Sequence, residues 1–453
     1  MADISPSWDV VIVGARCSGA SLATLLARSG VRVLVLEATA RGADMPMSTH
    51  YIQPPGMAAL DRLGVGSRVR EVTPPTRVFR GAMDSAEFCV PLPAGQLAYC
   101  VRRSTLDPWL QAMAESAGAD IRYQHRVLGL VREGERVAGV VVQGPTGKET
   151  LRAALVVGAD GPHSIVARQV DAPQYLVSQS TRAGYWHYFA APPRWEMPWD
   201  AMLEHRGDEL RYIFRTDGDL VLLAAVGRQD EVSTWGADHL RHTMDMFRGS
   251  PTTRALVEGK QPVGKGCGLV KAKYFYRQAV GPGWALVGDA GHFKDFVTGQ
   301  GMADAFLDAE RLAQAIVDGR PAAFEYFWRQ RDVATLPLHF DAIRQGAVGY
   351  NNPFMRWLFA HLSRRPDIVS RLGLVMTREL TPDDMVPMKN LLLWMGKALV
   401  CGRMDVIRHF LALGKQLQGE HAEMKSRGEA LEAVRQLLEH VKPVASAGKL
   451  SYQ

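Results

Sequence analysis

Asp9-Val10-Val11-Ile12-Val13-Gly14-Ala15-Arg16-Cys17-Ser18-Gly19 decides how this chain folds. The apolar run that ends at Gly14 reads as a buried parallel strand, apolar throughout because such a strand is covered on both faces. Gly14 permits a tight turn, and Gly19 lets the next element pack close to the sheet. Ser18 to Ser29 predicts a helix with small residues on one face, and Val31 to Glu37 predicts a second strand. Together they form a βαβ unit. The start of its helix offers unpaired N–H groups and a positive dipole to a pyrophosphate. Glu37, about twenty residues on, stands where a carboxylate accepts hydrogen bonds from an adenosine ribose. The order strand, loop, helix, strand, acid predicts a dinucleotide site built from Gly14, Arg16, Cys17, Ser18, Gly19 and Glu37.

One position departs from the G-x-G-x-x-G pattern: Arg16 replaces its middle glycine. Either Arg16 turns its guanidinium to a phosphate, with which Arg pairs bidentately, or it points to solvent and the loop widens. Cys17 reads as a small packing residue.

Outward from this unit, Leu106 to Ala117 predicts a helix, Val127 to Val131 and Val137 to Gln143 predict strands, and Leu155 to Asp160 predicts another buried strand. From Tyr175 to Lys271 aromatics, prolines and strand-like runs predict a mostly antiparallel sheet, with Gly264 to Gly268 as a turn between strands. Trp284 to Asp289 and Gly301 to Asp318 return to strand and helix. From Pro321 the chain reads as helical, with two late segments, Asn390 to Leu417 and Gly419 to Val441, and a frayed last ten residues. The expected fold class is α/β: a Rossmann-like nucleotide-binding domain (1–75, 101–174 and 276–330), an inserted antiparallel β-sheet substrate domain (76–100 and 175–275), and a C-terminal helical region (331–443).

A length of 453 residues exceeds one ordinary domain. With 47% hydrophobic and 22% charged residues the chain is globular, not extensively disordered. The net charge of +6 fits an ordinary basic enzyme or attraction to anions: cofactor phosphates, acidic substrates or a membrane surface. No Lys/Arg run is dense enough to indicate nucleic acid. The five cysteines never form C-x-x-C, which predicts reduced thiols in a cytoplasmic protein and no metal site. The first apolar run is a strand, not a signal peptide. Leu391 to Val400 carries Lys397 and is too short to span a bilayer.

Four segments carry a resemblance. Val157-Gly158-Ala159-Asp160-Gly161-Pro162-His163-Ser164, Leu286-Val287-Gly288-Asp289-Ala290-Gly291-His292, Thr298-Gly299-Gln300-Gly301-Met302 and Arg103 before a helix resemble, in order, motifs of the FAD-dependent aromatic hydroxylases. This family, the group A flavoprotein monooxygenases, is related to geranylgeranyl reductases and flavin halogenases. The resemblance covers about residues 8–330. It implies FAD as cofactor, Arg103 as a flavin-binding residue, and Asp160 as a link to the reductant cleft. It implies that Asp289 bonds a ribityl or ribose hydroxyl. It also implies that Gly299, Gln300, Gly301 and Met302 turn a helix N-terminus to the flavin N1 and O2 edge, where positive dipole favours the reduced, anionic form. The family's flavin-facing proline is replaced by Phe296, a candidate for shaping the oxygen pocket.

No second strand–glycine–helix unit is visible, which matches a family that docks NADPH or NADH transiently. Arg41 either meets a phosphate of that donor or is an exposed loop arginine. The tryptophan segment of the halogenases is missing, which disfavours halogenation. Tyr185, Trp186, His187, Tyr188, Phe189, Trp195, Trp199, Tyr212 and Phe214 suit a flat or unsaturated apolar substrate, or form a sheet core. His187 or His205 is a candidate for handling a substrate proton, or is structural. The expected function is an FAD monooxygenase that hydroxylates or epoxidises an apolar aromatic or alkene. The alternative is a reductase or dehydrogenase of a carbon–carbon double bond, and a third reading is a non-catalytic binding protein. A homodimer is compatible with the sequence. The C-terminal helices are expected to close the substrate cavity, to pack plainly or to form a subunit contact. They are not expected to enter a membrane, because Glu is at least as frequent as Lys and Arg in the last helix. The apolar helix before it is expected to lie between other elements.

Overall fold

The computed structural model describes residues 8–45 and 48–440. Val441 and the expected frayed tail lie outside the described residues. The chain opens with β1 (Trp8–Val13), α1 (Cys17–Arg28) and β2 (Val33–Glu37), then crosses to a hairpin, β3 (Val78–Met83) and β4 (Ala86–Pro91). It returns through α2 (Arg103–Ser116), β5 (Asp120–Tyr123), β6 (Arg126–Glu133), β7 (Arg136–Gly144) and β8 (Gly147–Gly158). A second excursion comprises β9 (Arg182–Ala190), β10 (Ala201–Arg206), β11 (Glu209–Thr216), β12 (Leu220–Arg228), α3 (His239–Arg248) and β13 (Pro262–Leu269). Then come β14 (Trp284–Leu286), α4 (Gly301–Asp318), α5 (Pro321–Gly346), α6 (Pro353–Leu362), α7 (Pro366–Met376), α8 (Met388–Val400) and α9 (Met404–His440).

Two main sheets organise these elements, and the fold is α/β. In the first, β14, β8, β1, β2 and β5 lie side by side and parallel. β8 serves two roles: Gly147 to Arg152 pairs antiparallel with β7, and Ala153 to Gly158 runs beside β1. The alternating side chains of β1 explain its unbroken apolar run. Val10 and Ile12 pack with Leu22 and Leu26 of α1 and Leu312 of α4, while Val11 and Val13 pack on the opposite face with Val140 and Trp284. The second sheet has the order β13-β9-β12-β11-β10-β3-β4, antiparallel except where β10 meets β3. One face packs against α3 through Phe189, Val221, Leu223 and Phe247. The other, with Trp186, Tyr212 and Phe214, turns toward Tyr51 and Phe296.

Three expectations are corrected. Gly264 to Gly268 is not a turn but part of β13. A Cβ on Gly266 would stand 2.3 Å from His187 Nε2, and one on Gly268 2.5 Å from the Tyr185 ring. The glycines are therefore the side-chain-free edge on which those rings lie. The two late helices do not meet at Gly419. The break falls at Gly402, whose φ of 67° is left-handed and ends α8, a common role for glycine. α9 then runs through Gly414, Gly419 and Gly428 for 37 residues, because packing on α5 outweighs the weak helix propensity of glycine. Finally, α8 does not lie between other elements. Trp394, Met395 and Ala398 are buried, but Leu392, Leu393, Leu399 and Val400 face outward.

Candidate functional site

The glycine loop is closed by sterics. Gly14 has φ of 101°, and a Cβ there would lie 2.6 Å from the Ala159 carbonyl oxygen. A Cβ on Gly19 would lie 1.9 Å from the Gly14 oxygen, so α1 begins against the turn. Ser18 and Cys17 are buried in its first turn. Glu37 at the end of β2 accepts from the Ala15 N–H at 2.9 Å and, through its other oxygen, from the Thr39 N–H at 2.9 Å and hydroxyl at 2.7 Å. It thereby ties β2 to the loop. Burial and the nearby Asp107 push the Cys17 thiol up to about 12, so it packs as an un-ionised group.

Arg16 does not point to solvent. Its guanidinium is 19% exposed and lies 3.5 Å from Asp107 of α2. Arg103, the first residue of α2, grips the same carboxylate with two bonds of 2.7 and 2.9 Å. Two guanidinium groups on one carboxylate leave positive charge beside the N-terminus of α1, where an anionic diphosphate is favoured. Asp107 has no place in the sequence reading, although Arg103 to Asp107 is an i,i+4 pair that helical spacing reveals.

Asp289 lies in a short 3₁₀ turn after β14. It is half-buried, and among the described residues its carboxylate has no hydrogen-bond partner. Burial pushes its pKa up to about 6, against the pull of Arg103 and Lys294. Asp160 accepts from the Ile165 N–H at 2.7 Å, and burial raises its pKa despite that bond and Ser164. Arg277 joins the two turns, donating to the Ala290 carbonyl at 2.9 Å and the Pro162 carbonyl at 3.1 Å.

Gly299 caps the 3₁₀ turn Phe296–Thr298 with φ of 63° and delivers the chain into α4. The first N–H groups of α4, from Gly301 on, have no acceptor within the helix. Space beside Gly301 is open: a Cβ there would meet nothing within 4 Å. Gln300 is held by Arg378, and the Met302 side chain packs into the core with Leu106 and Phe306. An unpartnered carboxylate, paired cations, free helix N–H groups and open space fit FAD: diphosphate at the α1 end, a hydroxyl on Asp289, and the ring edge at Gly301.

Beyond Gly299 lies a cavity of about 560 Å³. Tyr51, Phe79, Phe214, Phe296 and Gly299 form its inner wall. Phe354, Leu358, Leu372 and Leu413 of α6, α7 and α9 form its outer part, with Asp341 and Arg344 at one side. The C-terminal helices therefore close this cavity. His205 lines it, but burial lowers its pKa to about 3. His187 lies on the opposite face of β9, 2.9 Å from His239 of α3, and is turned away from the cavity. Arg41 is exposed and ion-paired with Glu115.

Two further groups escape sequence reasoning. His50, buried at φ of 58°, contacts the Tyr188 hydroxyl of β9 through Nε2, which ties the loop before Tyr51 to the second sheet. Lys294 and Arg378 share the buried carboxylate of Asp304 in α4. Among the described residues no helix is long and apolar enough to cross a membrane.

Residues 7–232 match the family described as FAD binding domain. A probable electron transfer flavoprotein-quinone oxidoreductase of Escherichia coli is 32% identical over 173 residues, 36% of this chain and 38% of that protein. Digeranylgeranylglycerophospholipid reductase 2 of Methanopyrus kandleri is 32% identical over 163 residues, covering 36% and 39%. The alignments thus span about two fifths of these relatives' length. The structure of p-nitrophenol 4-monooxygenase from Pseudomonas putida superposes with a TM-score of 0.69 at 19% identity, covering 84% of this chain and 100% of that one. This likeness is one of fold. The segment that carries β1, Arg103 and Asp160 thus matches the FAD binding domain family, in line with its motifs' resemblance to group A flavoprotein monooxygenases.

Proposed function

We propose that this protein is an FAD-dependent monooxygenase that uses NADPH or NADH and O₂ to hydroxylate or epoxidise an apolar aromatic or unsaturated small molecule. The observation that carries the reading is the cavity of about 560 Å³ that ends directly on Gly299 and Phe296. A bound flavin supplies the redox chemistry: it accepts reducing equivalents and activates oxygen. The chain's residues bind and orient. Arg16 and Arg103 meet the diphosphate, Asp289 accepts from a hydroxyl, and the α4 N-terminus stabilises negative charge at the ring edge. Tyr51, Phe214 and Phe296 exclude water from the reacting carbon. Asp160 and Arg277 set the turn that faces the reductant side.

The second reading is reduction or dehydrogenation of a carbon–carbon double bond, favoured by the 32% identity over 163 residues to a digeranylgeranylglycerophospholipid reductase. Substrate-dependent O₂ uptake separates the two. Purified protein is incubated with NADPH or NADH and panels of phenolic, polyketide and isoprenoid compounds. Stoichiometric O₂ consumption with an oxygenated product supports the monooxygenase. Anaerobic turnover at a double bond without O₂ uptake replaces it with the reductase.

A further inference from the structure

We infer that α8 is a membrane-surface docking element that lays the protein on an anionic lipid bilayer. Met388, Leu392, Leu393, Leu399 and Val400 project from one side of this helix, with Leu393 67% and Val400 89% exposed. Leucine and valine at such exposure, side by side on one helix face, form a contiguous apolar patch of the kind that marks a contact surface. The opposite side anchors α8 through Trp394, Met395 and Ala398, so the outward face is held fixed.

The charge around the patch selects the occupant. From Met385 to Met404 the chain contains no Asp or Glu, but it contains Lys389, Lys397 and Arg403. Lys389 and Lys397 are exposed, stand four residues to either side of Leu393, and form no ion pair among the described residues. A second copy docked face to face would bring four such lysines together with no acid between them. An anionic bilayer instead offers acyl chains to the leucines and headgroup phosphates to the lysines. A 13-residue helix is ~20 Å long, which suits lying in the headgroup plane and not crossing it. The glutamates that disfavour interfacial binding lie in the last helix. The structure shows that the exposed apolar face belongs to α8, which has none.

Position gives the surface a use. Leu391 of α8 lines the large cavity, and so do the exposed residues His409, Ala412 and Gln416 of the neighbouring α9. The cavity therefore reaches the surface beside the patch, so a lipid-dissolved substrate has a route to Gly299. This use rests on the reading of the cavity as the substrate site; the docking itself does not.

The test is sedimentation of the FAD-loaded full chain with vesicles of phosphatidylcholine alone or mixed equally with phosphatidylglycerol. The expected result is strong binding to the mixed vesicles, at least tenfold weaker binding to phosphatidylcholine, and loss of binding as salt rises. The paired variants Leu392→Glu with Leu393→Glu, and Lys389→Glu with Lys397→Glu, should each lose at least tenfold. Their flavin absorbance and circular dichroism should be unchanged, because all four side chains are exposed. Absence of binding at low salt, or binding that both variants retain, overturns the proposal. So does a concentration-dependent dimer that the leucine pair variant dissolves while vesicles bind nothing, which would assign the face to a second copy.

Discussion

Arg378, from the C-terminal helical region, donates to the buried carboxylate of Asp304 at 2.7 Å and to Gln300 at 2.8 Å. It thereby clamps the start of α4 from outside the nucleotide-binding sheet. Asp304 is 2% exposed and is also held by Lys294, and these partners keep its pKa well below the usual carboxylate range despite burial.

Replacing Arg378 with Ala should therefore destabilise the fold and loosen FAD together. Breaking a buried ion pair costs ~3–5 kcal/mol, and Lys294, left on the same carboxylate, should keep the loss near the lower end. Arg403→Ala, which removes an exposed and solvent-screened pair with Asp405, should cost far less. Urea unfolding of both variants checks this; equal midpoints would show that the clamp carries no stability.

Asp289→Ala should weaken FAD retention far more than Cys17→Ser. The carboxylate is assigned a charge-assisted hydrogen bond of about 1.5–3 kcal/mol, roughly ten- to hundredfold in affinity. The buried thiol is assigned only packing. Flavin release on gel filtration or fluorescence titration of the apo-proteins reads the difference, and equal losses would reassign both residues.

FAD affinity should fall as pH drops through about 6. Burial raises the Asp289 pKa to about 6 in the FAD-free protein. A hydroxyl donor favours the carboxylate, so FAD binding releases a proton and weakens up to tenfold per pH unit below 6. For the FAD-free fold the sign is opposite. A carboxyl raised from 3.8 to about 6 favours the folded state below that window and disfavours it as pH climbs through it. Titrations between about pH 5 and 8 check the sign, and Asp289→Asn should flatten the dependence.

Phe296→Pro should alter coupling and leave FAD content unchanged. Phe296 is the first residue of a short 3₁₀ turn, a position that tolerates proline. The preceding Asp295 is already extended, with φ of −58° and ψ of 135°, as a residue before proline requires. Phe296 lines the cavity beside Gly299. The ratio of peroxide released to product formed is the measurement; an unchanged ratio with intact FAD would place Phe296 away from the oxygen site.

What the sequence disclosed was what lies close along the chain. The βαβ unit, Gly14, Glu37 and the turn at Asp289 are contiguous patterns whose reasons are local. The groups that sequence reasoning missed are assembled by tertiary contact: His50 meets Tyr188 across 138 residues, and Arg16 meets Asp107 across 91. His187 illustrates a different loss. Alternation along β9 fixes that His187 opposes Trp186 and Tyr188, but which face borders the cavity depends on where α3 packs. The glycines of β13 mislead for a related reason: they are absent side chains explained by rings on another strand.

The uninterrupted course of α9 bears on how the cavity can be entered. As a rod of ~55 Å, it is pinned along its length by Glu420 to Arg344, His421 to Asp383, Arg427 to Asp332, and the Leu438 carbonyl to Arg320. A flap hinged on such a strut would have to release all these attachments at once. On the reading of the cavity as the substrate site, α9 is thus a fixed wall, and selection on that side falls to the width of the passage beside it.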